Sequence, residues 1–220
     1  MPITWRASGA DSQRMGIVGK SGSGKTTLAR MLASQATRCA WIDVKGLNEP
    51  QFVTRPCTAI LEAGESSQAR AAALDRQLAE TAHVAYQLAD RPDLTDEQQA
   101  DAVAQAAYTL GNVLLVIDDA SGVLTARPPY YVNRAASLGR ARGVGVLALM
   151  ARAHNVPAVL RTEAEHIVLF QQYGDDDIDR LVREVGPDAA RARELPRWGY
   201  MWIDREGGTV QQFNPLRSFR

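Results

Sequence analysis

Lysine is scarce in this 220-residue sequence: of 25 basic residues only Lys20, Lys25 and Lys45 are lysines, and two of these fall in one glycine-rich stretch. Cysteine is scarcer still. Cys39 and Cys57 each adjoin an apolar run, stand in no metal-ligand spacing and read as buried free thiols of a reducing compartment. The scattered histidines His83, His154 and His166 form no HExxH-like pattern, which argues against a histidine-built metal site. The formal net charge is zero, so no global positive field advertises nucleic-acid binding, although a protein holding a strand in a ring pore needs only local basic loops. Long apolar runs are missing too. Asn112 to Ile117 and Val144 to Ala151 are too short to span a bilayer, and Met1-Pro2-Ile3-Thr4-Trp5-Arg6 lacks the apolar core of a signal peptide. With no repeat, low-complexity tract or dividing linker, residues 1–220 read as a single soluble α/β domain with a 1–13 N-terminal arm.

The most informative stretch is Gly19-Lys20-Ser21-Gly22-Ser23-Gly24-Lys25-Thr26-Thr27, which fits G-x-x-x-x-G-K-[ST]. It follows a short apolar run, Met15 to Val18, and precedes a helix-forming run, Leu28 to Ala33, giving strand, loop and helix. Glycines let consecutive N–H groups turn toward phosphate oxygens, and the helix N-terminus adds partial positive charge. Lys25 is placed to reach the β- and γ-phosphates of a nucleoside triphosphate and the Thr26 hydroxyl to ligate Mg²⁺.

A second strand is expected at Cys39 to Asp43, with Asp43 and Lys45 at its carboxyl end, where open α/β sheets place their sites; an ordinary strand-end turn with a surface ion pair is the plainer reading. Thr58 to Leu61 reads as a short strand. Residues 62–110 read as a helical segment between core strands. Its first part, Glu65 to Asp90, carries Leu74, Leu78, Ala82, Ala85 and Leu88 at helical spacing; after Pro92, Thr95 caps a second helix that Gly111 ends. Asn112 to Ile117 is the continuous apolar run of a strand buried on both faces, and it ends in Asp118-Asp119. Downstream of a phosphate loop this is a Walker B pattern: Asp118 serves the Mg²⁺ shell and Asp119 orients or deprotonates the attacking water.

Tyr130 and Tyr131 beside Arg127 read either as a packed Pro-rich turn or as a stacking grip on a nucleic-acid strand. Arg134, Arg140 and Arg142 read as a solvated helix face, with the rival reading that Arg134 or Arg140 reaches a neighbouring subunit's triphosphate as an arginine finger. Asp175, Asp176 and Asp177 fit an acidic helix start better than a metal cluster. A strand is expected at His166 to Phe170, and Gly199 to Phe213 reads as a C-terminal β-hairpin around Gly207-Gly208.

The order of these motifs resembles the HerA/FtsK superfamily of DNA-translocating ATPases: phosphate loop, Asp43-Val44-Lys45-Gly46, Walker B strand, then Arg134 and Gly139-Arg140-Ala141-Arg142-Gly143 before a strand. Pro157 to Phe170 and the Leu195-Pro196 segment through Asp204 are similar to that family's closing elements, so the resemblance spans residues 14–212. A bare motor of this length looks most like the genome-packaging ATPases of tailless icosahedral, often membrane-containing, DNA viruses. The resemblance implies a three-layer RecA/FtsK-like P-loop fold with a mostly parallel central sheet. It also implies ATP and Mg²⁺ as ligands, double-stranded DNA as partner and a homo-oligomeric ring, usually a hexamer, at a capsid vertex with capsid or membrane proteins nearby. The place of action would be the host cytoplasm or the virion. The sequence departs from the family at three points. Asp43-Val44-Lys45-Gly46 replaces Asp-Pro-Lys-Gly, and Asp118-Asp119 replaces Asp-Glu with a shorter second carboxylate. The strand-end polar sensor falls at Met150-Ala151, with Arg152 and His154 beyond.

Two other classes share the phosphate loop. A small-molecule or nucleoside kinase would need an arginine-bearing lid and an acceptor pocket. A nucleotide-switched assembly protein would bind triphosphate with little turnover. An ABC-type ATPase is disfavoured, because no Leu-Ser-Gly-Gly-Gln-like segment precedes the Walker B strand.

Overall fold

A computed structural model describes residues 5–44, 46, 52–152 and 156–213. In chain order the elements are β1 (Arg14–Val18), α1 (Lys25–Ala33), β2 (Cys39–Asp43), β3 (Val53–Pro56), α2 (Thr58–Leu61), α3 (Ser67–Glu80), β4 (His83–Gln87) and α4 (Asp96–Leu110). There follow β5 (Leu114–Ile117), α5 (Ala120–Val123), α6 (Tyr130–Leu138), β6 (Gly145–Met150), α7 (Val159–Thr162), β7 (His166–Phe170), α8 (Asp175–Val185), β8 (Tyr200–Asp204) and β9 (Thr209–Phe213). Short 3₁₀ turns at Gly139–Arg142 and Pro187–Arg193 precede β6 and β8.

All nine strands form one sheet in the order β3-β4-β2-β5-β6-β1-β7-β8-β9. The first seven in that order run parallel, and β7-β8-β9 are antiparallel neighbours. Because strand side chains alternate, the central strands feed two separate cores. Ile17, Trp41, Leu114, Val116, Leu147 and Leu149 pack under α1 on one face. Ile42, Leu115, Ile117, Ala148 and Met150 pack under α3, α4 and α6 on the other. The result is a three-layer α/β P-loop fold. Among the described residues no helix is long and apolar enough to cross a membrane.

Local chemistry accounts for most boundaries. Thr95 and Gln98 close a reciprocal capping box at the start of α4, and Gly111 ends that helix at φ 76. Three aspartates occupy the first turn of α8, where the helix dipole favours them, and no metal-holding acidic group occurs among the described residues.

Two expectations are corrected. Thr58 to Leu61 is the helical turn α2, and the strand lies just before it, at β3; a four-residue apolar run carries no usable periodicity. The helical pattern from Glu65 to Asp90 stops at Thr81, whose backbone is extended (φ −148, ψ 130), and β4 follows. Residues 62–110 are therefore helix, strand and helix. Ala82 and Ala85 merely continue the phase of Leu74 and Leu78. The three central residues of β4, Val84, Ala85 and Tyr86, are all buried, as a strand between β2 and β3 demands.

Candidate nucleotide site

β1, β2, β5 and β6 all end at one edge of the sheet, and the motif residues sit where they stop. Gly19 follows β1 with its N–H donating to the Met150 carbonyl at the end of β6, 3.0 Å away. A Cβ at Gly19 would lie 2.7 Å from both Phe170 Cβ and Ser23 Oγ, so this turn admits only glycine. Gly22 and Gly24 take left-handed φ values of 75 and 107, which lets the loop reverse into α1 without a side-chain clash. Gly24 is the N-cap of α1 and Lys25 its first residue. The Lys25 ammonium curls into the loop, donating to the Gly19 carbonyl and, at 3.0 Å, to the Lys20 carbonyl. A buried cation is thus held inside a ring of backbone groups, the charge a phosphate cradle requires.

Asp118 directly follows β5, is buried, and donates its N–H to Ile42 O of β2 at 3.1 Å. Asp119 comes next in a left-handed conformation (φ 51, ψ 51), capping α5. Ser121 in α5 accepts the Ala151 N–H at 2.9 Å, joining the ends of β5 and β6. Asp43 is buried at the end of β2, while Lys45 lies outside the described residues. Met150 and Ala151 leave the end of β6 apolar; Arg152 is exposed beyond it, and His154 lies outside the described residues. The donor set fits magnesium triphosphate: a Thr26 hydroxyl on the first turn of α1 and an Asp118 carboxylate on the adjoining sheet edge are the hard oxygens that Mg²⁺ prefers.

The arginines are elsewhere. Arg134 on α6 donates to Tyr130 Oη (2.8 Å) and Tyr108 Oη (3.1 Å), and its guanidinium lies over both rings. Tyr130 and Tyr131 begin α6 rather than lying in a loop. Arg140 lies in the 3₁₀ turn before β6, half-exposed, with Glu206 Oε1 at 3.3 Å and Glu165 Oε1 at 3.8 Å. β6 is six residues long, so at ~3.3 Å per residue Arg140 stands roughly 20 Å from the phosphate loop of its own chain. Glu165 itself is held below the usual carboxylate range: burial pushes it up, but hydrogen bonds from the Arg14 side chain and backbone outweigh that.

One group beside the loop has no motif to betray it. Trp198 donates its indole N–H to Gly22 O at 3.2 Å, and with Tyr173, Arg197 and Gln171 it borders a cavity of about 380 Å³ whose other wall is Lys20 to Ser23. The only signal in the sequence is an aromatic residue between arginine and glycine, Arg197-Trp198-Gly199.

A family model described as an AAA domain matches residues 11–160. No curated protein matches the sequence. Among solved structures, the fold is similar to the genome packaging NTPase B204 from Sulfolobus turreted icosahedral virus 2 in complex with AMP. That likeness has a TM-score of 0.70 at 14% identity, covering 95% of this chain and 100% of that one. The same viral protein in complex with ATP-gammaS gives 0.70 at 16% identity, covering 94% and 99%. B204, the DNA-packaging ATPase from Sulfolobus Turreted Icosahedral Virus, gives 0.67 at 15%, covering 93% and 98%.

Proposed function

From the premise that this chain belongs to the AAA-domain family of P-loop proteins, we propose that it hydrolyses ATP to move double-stranded DNA, as a viral genome-packaging motor does. The observation that carries the hydrolytic part is the meeting of Gly19–Thr27 with Asp118 and Asp119 at one sheet edge, phosphate cradle and paired carboxylates together. The translocating part is supported by a fold that matches a packaging NTPase along nearly its whole length.

The loop N–H groups and Lys25 bind the phosphates. Thr26 and Asp118 would hold Mg²⁺, which when bound neutralises charge growing on the transferring phosphoryl group. Asp119 aligns the attacking water and accepts its proton. An arginine from a neighbouring copy supplies the remaining charge, worth about 10³–10⁵ in rate. Arg140 suits that role better than Arg134, which two tyrosines engage. Its distance from its own loop means that it can serve only another copy's site. The working form is then a homo-oligomeric ring, a hexamer by family resemblance, acting on DNA in the host cytoplasm or at a capsid vertex of the virion, beside capsid or membrane proteins. Contacts would fall on the DNA backbone, making binding salt-sensitive and indifferent to sequence.

The deciding experiment is ATP turnover with and without duplex DNA, with oligomer mass measured in parallel. Stimulation confined to the oligomer is expected; no stimulation in any oligomeric state overturns translocation, and a strict need for a small hydroxyl acceptor would indicate a kinase. The second reading, a nucleotide-switched assembly protein, draws on the short Asp119 side chain and the apolar Met150-Ala151 strand end. It predicts that Asp119→Asn leaves a turnover that was already negligible, while Lys25→Ala removes nucleotide binding.

A further inference from the structure

Trp198 holds the most costly backbone conformation near the loop. It sits third in a turn closed by Gly199 N–H donating to Pro196 O (2.9 Å), at φ 64, where glycine is the ordinary occupant and a bulky residue is an outlier. Burial does not explain the choice, since Trp198 is 39% exposed and Tyr173 across the cavity is 59% exposed. Both rings already carry a cation: Lys20 Nζ lies 4.3 Å from the Tyr173 ring centre, and the Arg197 guanidinium 4.5 Å from that of Trp198. The indole N–H, meanwhile, ties the turn to Gly22. Strained residues of this kind cluster at ligand clamps, where the surroundings hold a side chain in place for a partner.

We propose that the cavity between Tyr173 and Trp198 is the nucleobase subsite of the triphosphate bound on Gly19–Thr27. This rests on the nucleotide-binding reading above and deepens it. The cavity opens directly onto Lys20 to Ser23, so a nucleoside attached to phosphates on the loop lies beside it, and about 380 Å³ admits a purine. Two aromatic side chains with associated cations offer what a base face takes: π-stacking and guanidinium contact. The strain at Trp198 is then the cost of presenting the indole to the base while its N–H fixes the loop beneath.

The test compares Mg²⁺-ATP with Mg²⁺-tripolyphosphate, which has the phosphates and no base, binding to the full chain by calorimetry. Trp198→Gly and Tyr173→Ala should each weaken ATP about ten- to hundredfold more than they weaken tripolyphosphate. Trp198→Phe, which keeps a ring and loses the N–H, should retain most of the ATP affinity. Trp198→Gly should also melt no lower than the parent chain, because glycine relieves the turn. Equal losses for ATP and tripolyphosphate, or unchanged ATP affinity with a lowered melting temperature, would show a purely structural Trp198 and overturn the proposal. A parent chain that binds neither ligand would instead sink the nucleotide reading, and the subsite with it.

Discussion

Asp119 shows how a residue's identity answers to its backbone. At φ 51 and ψ 51 it stands in the left-handed region, which aspartate and asparagine tolerate because their short polar side chains bond locally, and which longer residues resist. A glutamate there would extend the carboxylate by one methylene but strain the turn, so an aspartate after the Walker B strand agrees with the local geometry. Asp119→Asn keeps both shape and backbone preference while removing the proton acceptor. It should leave the melting temperature nearly unchanged and lower ATP turnover about 10²–10⁴-fold, measured as steady-state phosphate release with nucleotide affinity as control. A loss of affinity matching the loss of turnover would place Asp119 in binding instead. The phosphate loop and the carboxylate pair were legible because their spacing is the chemistry itself. Trp198 was not, because nothing local marks a tryptophan in a glycine's position.

Among the elements, β4 was hidden, whereas β6 was plain as the buried apolar run after Gly143. Alanine suits either pattern, so Ala82 and Ala85 carried the helical phase of α3 across a break that only the sheet enforces. The start of α4 was plain, because Thr95 and Gln98 form a box with a fixed four-residue signature. Less readable is how the arm before β1 packs: a Cβ at Gly145, the first residue of β6, would run into the Ala7 carbonyl and come within 3.1 Å of Gln13 O. Gly145→Ala should therefore lift the arm and destabilise the chain by about 1–3 kcal/mol, read as a lower denaturant midpoint. β7 carries a titrating group at the same end of the sheet. His166 Nδ1 accepts the Trp202 indole N–H at 3.2 Å, and Trp5 meets its ring edge-on. Burial lowers the His166 pKa below 6.5, against the pull of Asp204, Glu165 and Glu206. The folded state thus prefers neutral His166. Its contribution is complete above pH 6.5 and is lost as pH falls toward the folded-state value. Stability measured by denaturant titration should fall through that window in the parent chain and fall less in His166→Gln. Glu165, held down by Arg14, adds its own loss only at lower pH, below its ordinary 4.5.

At the scale of the whole molecule, alternating strands and helices announced a parallel α/β sheet but not the order of its strands. That order puts β6 between β1 and β5, and β6 joins the two proposed functional groups at its opposite ends. Its carboxyl end bonds the phosphate loop through Met150 O, and its amino end follows the turn bearing Arg140. In the proposed mechanism, a chain with its phosphate cradle on one edge and its arginine on the other cannot complete its own site, whereas a head-to-tail ring would complete every site at once. This separation is testable by mixing two dead proteins. Lys25→Ala lacks the cradle but keeps Arg140; Arg140→Ala lacks the finger but keeps the cradle. Each alone should turn over ATP at least about 10³-fold below the parent. In an equal mixture of subunits that assemble at random, roughly one interface in four joins an intact cradle to an intact arginine, so up to about a quarter of the parent turnover should return. Were Arg140 to act within its own chain, no subunit in the mixture would hold both residues and turnover would stay at the level of the separate variants. If Glu206 and Glu165 were its lasting partners instead, Arg140→Ala alone would keep its turnover, and Glu206→Gln would lower stability without altering turnover.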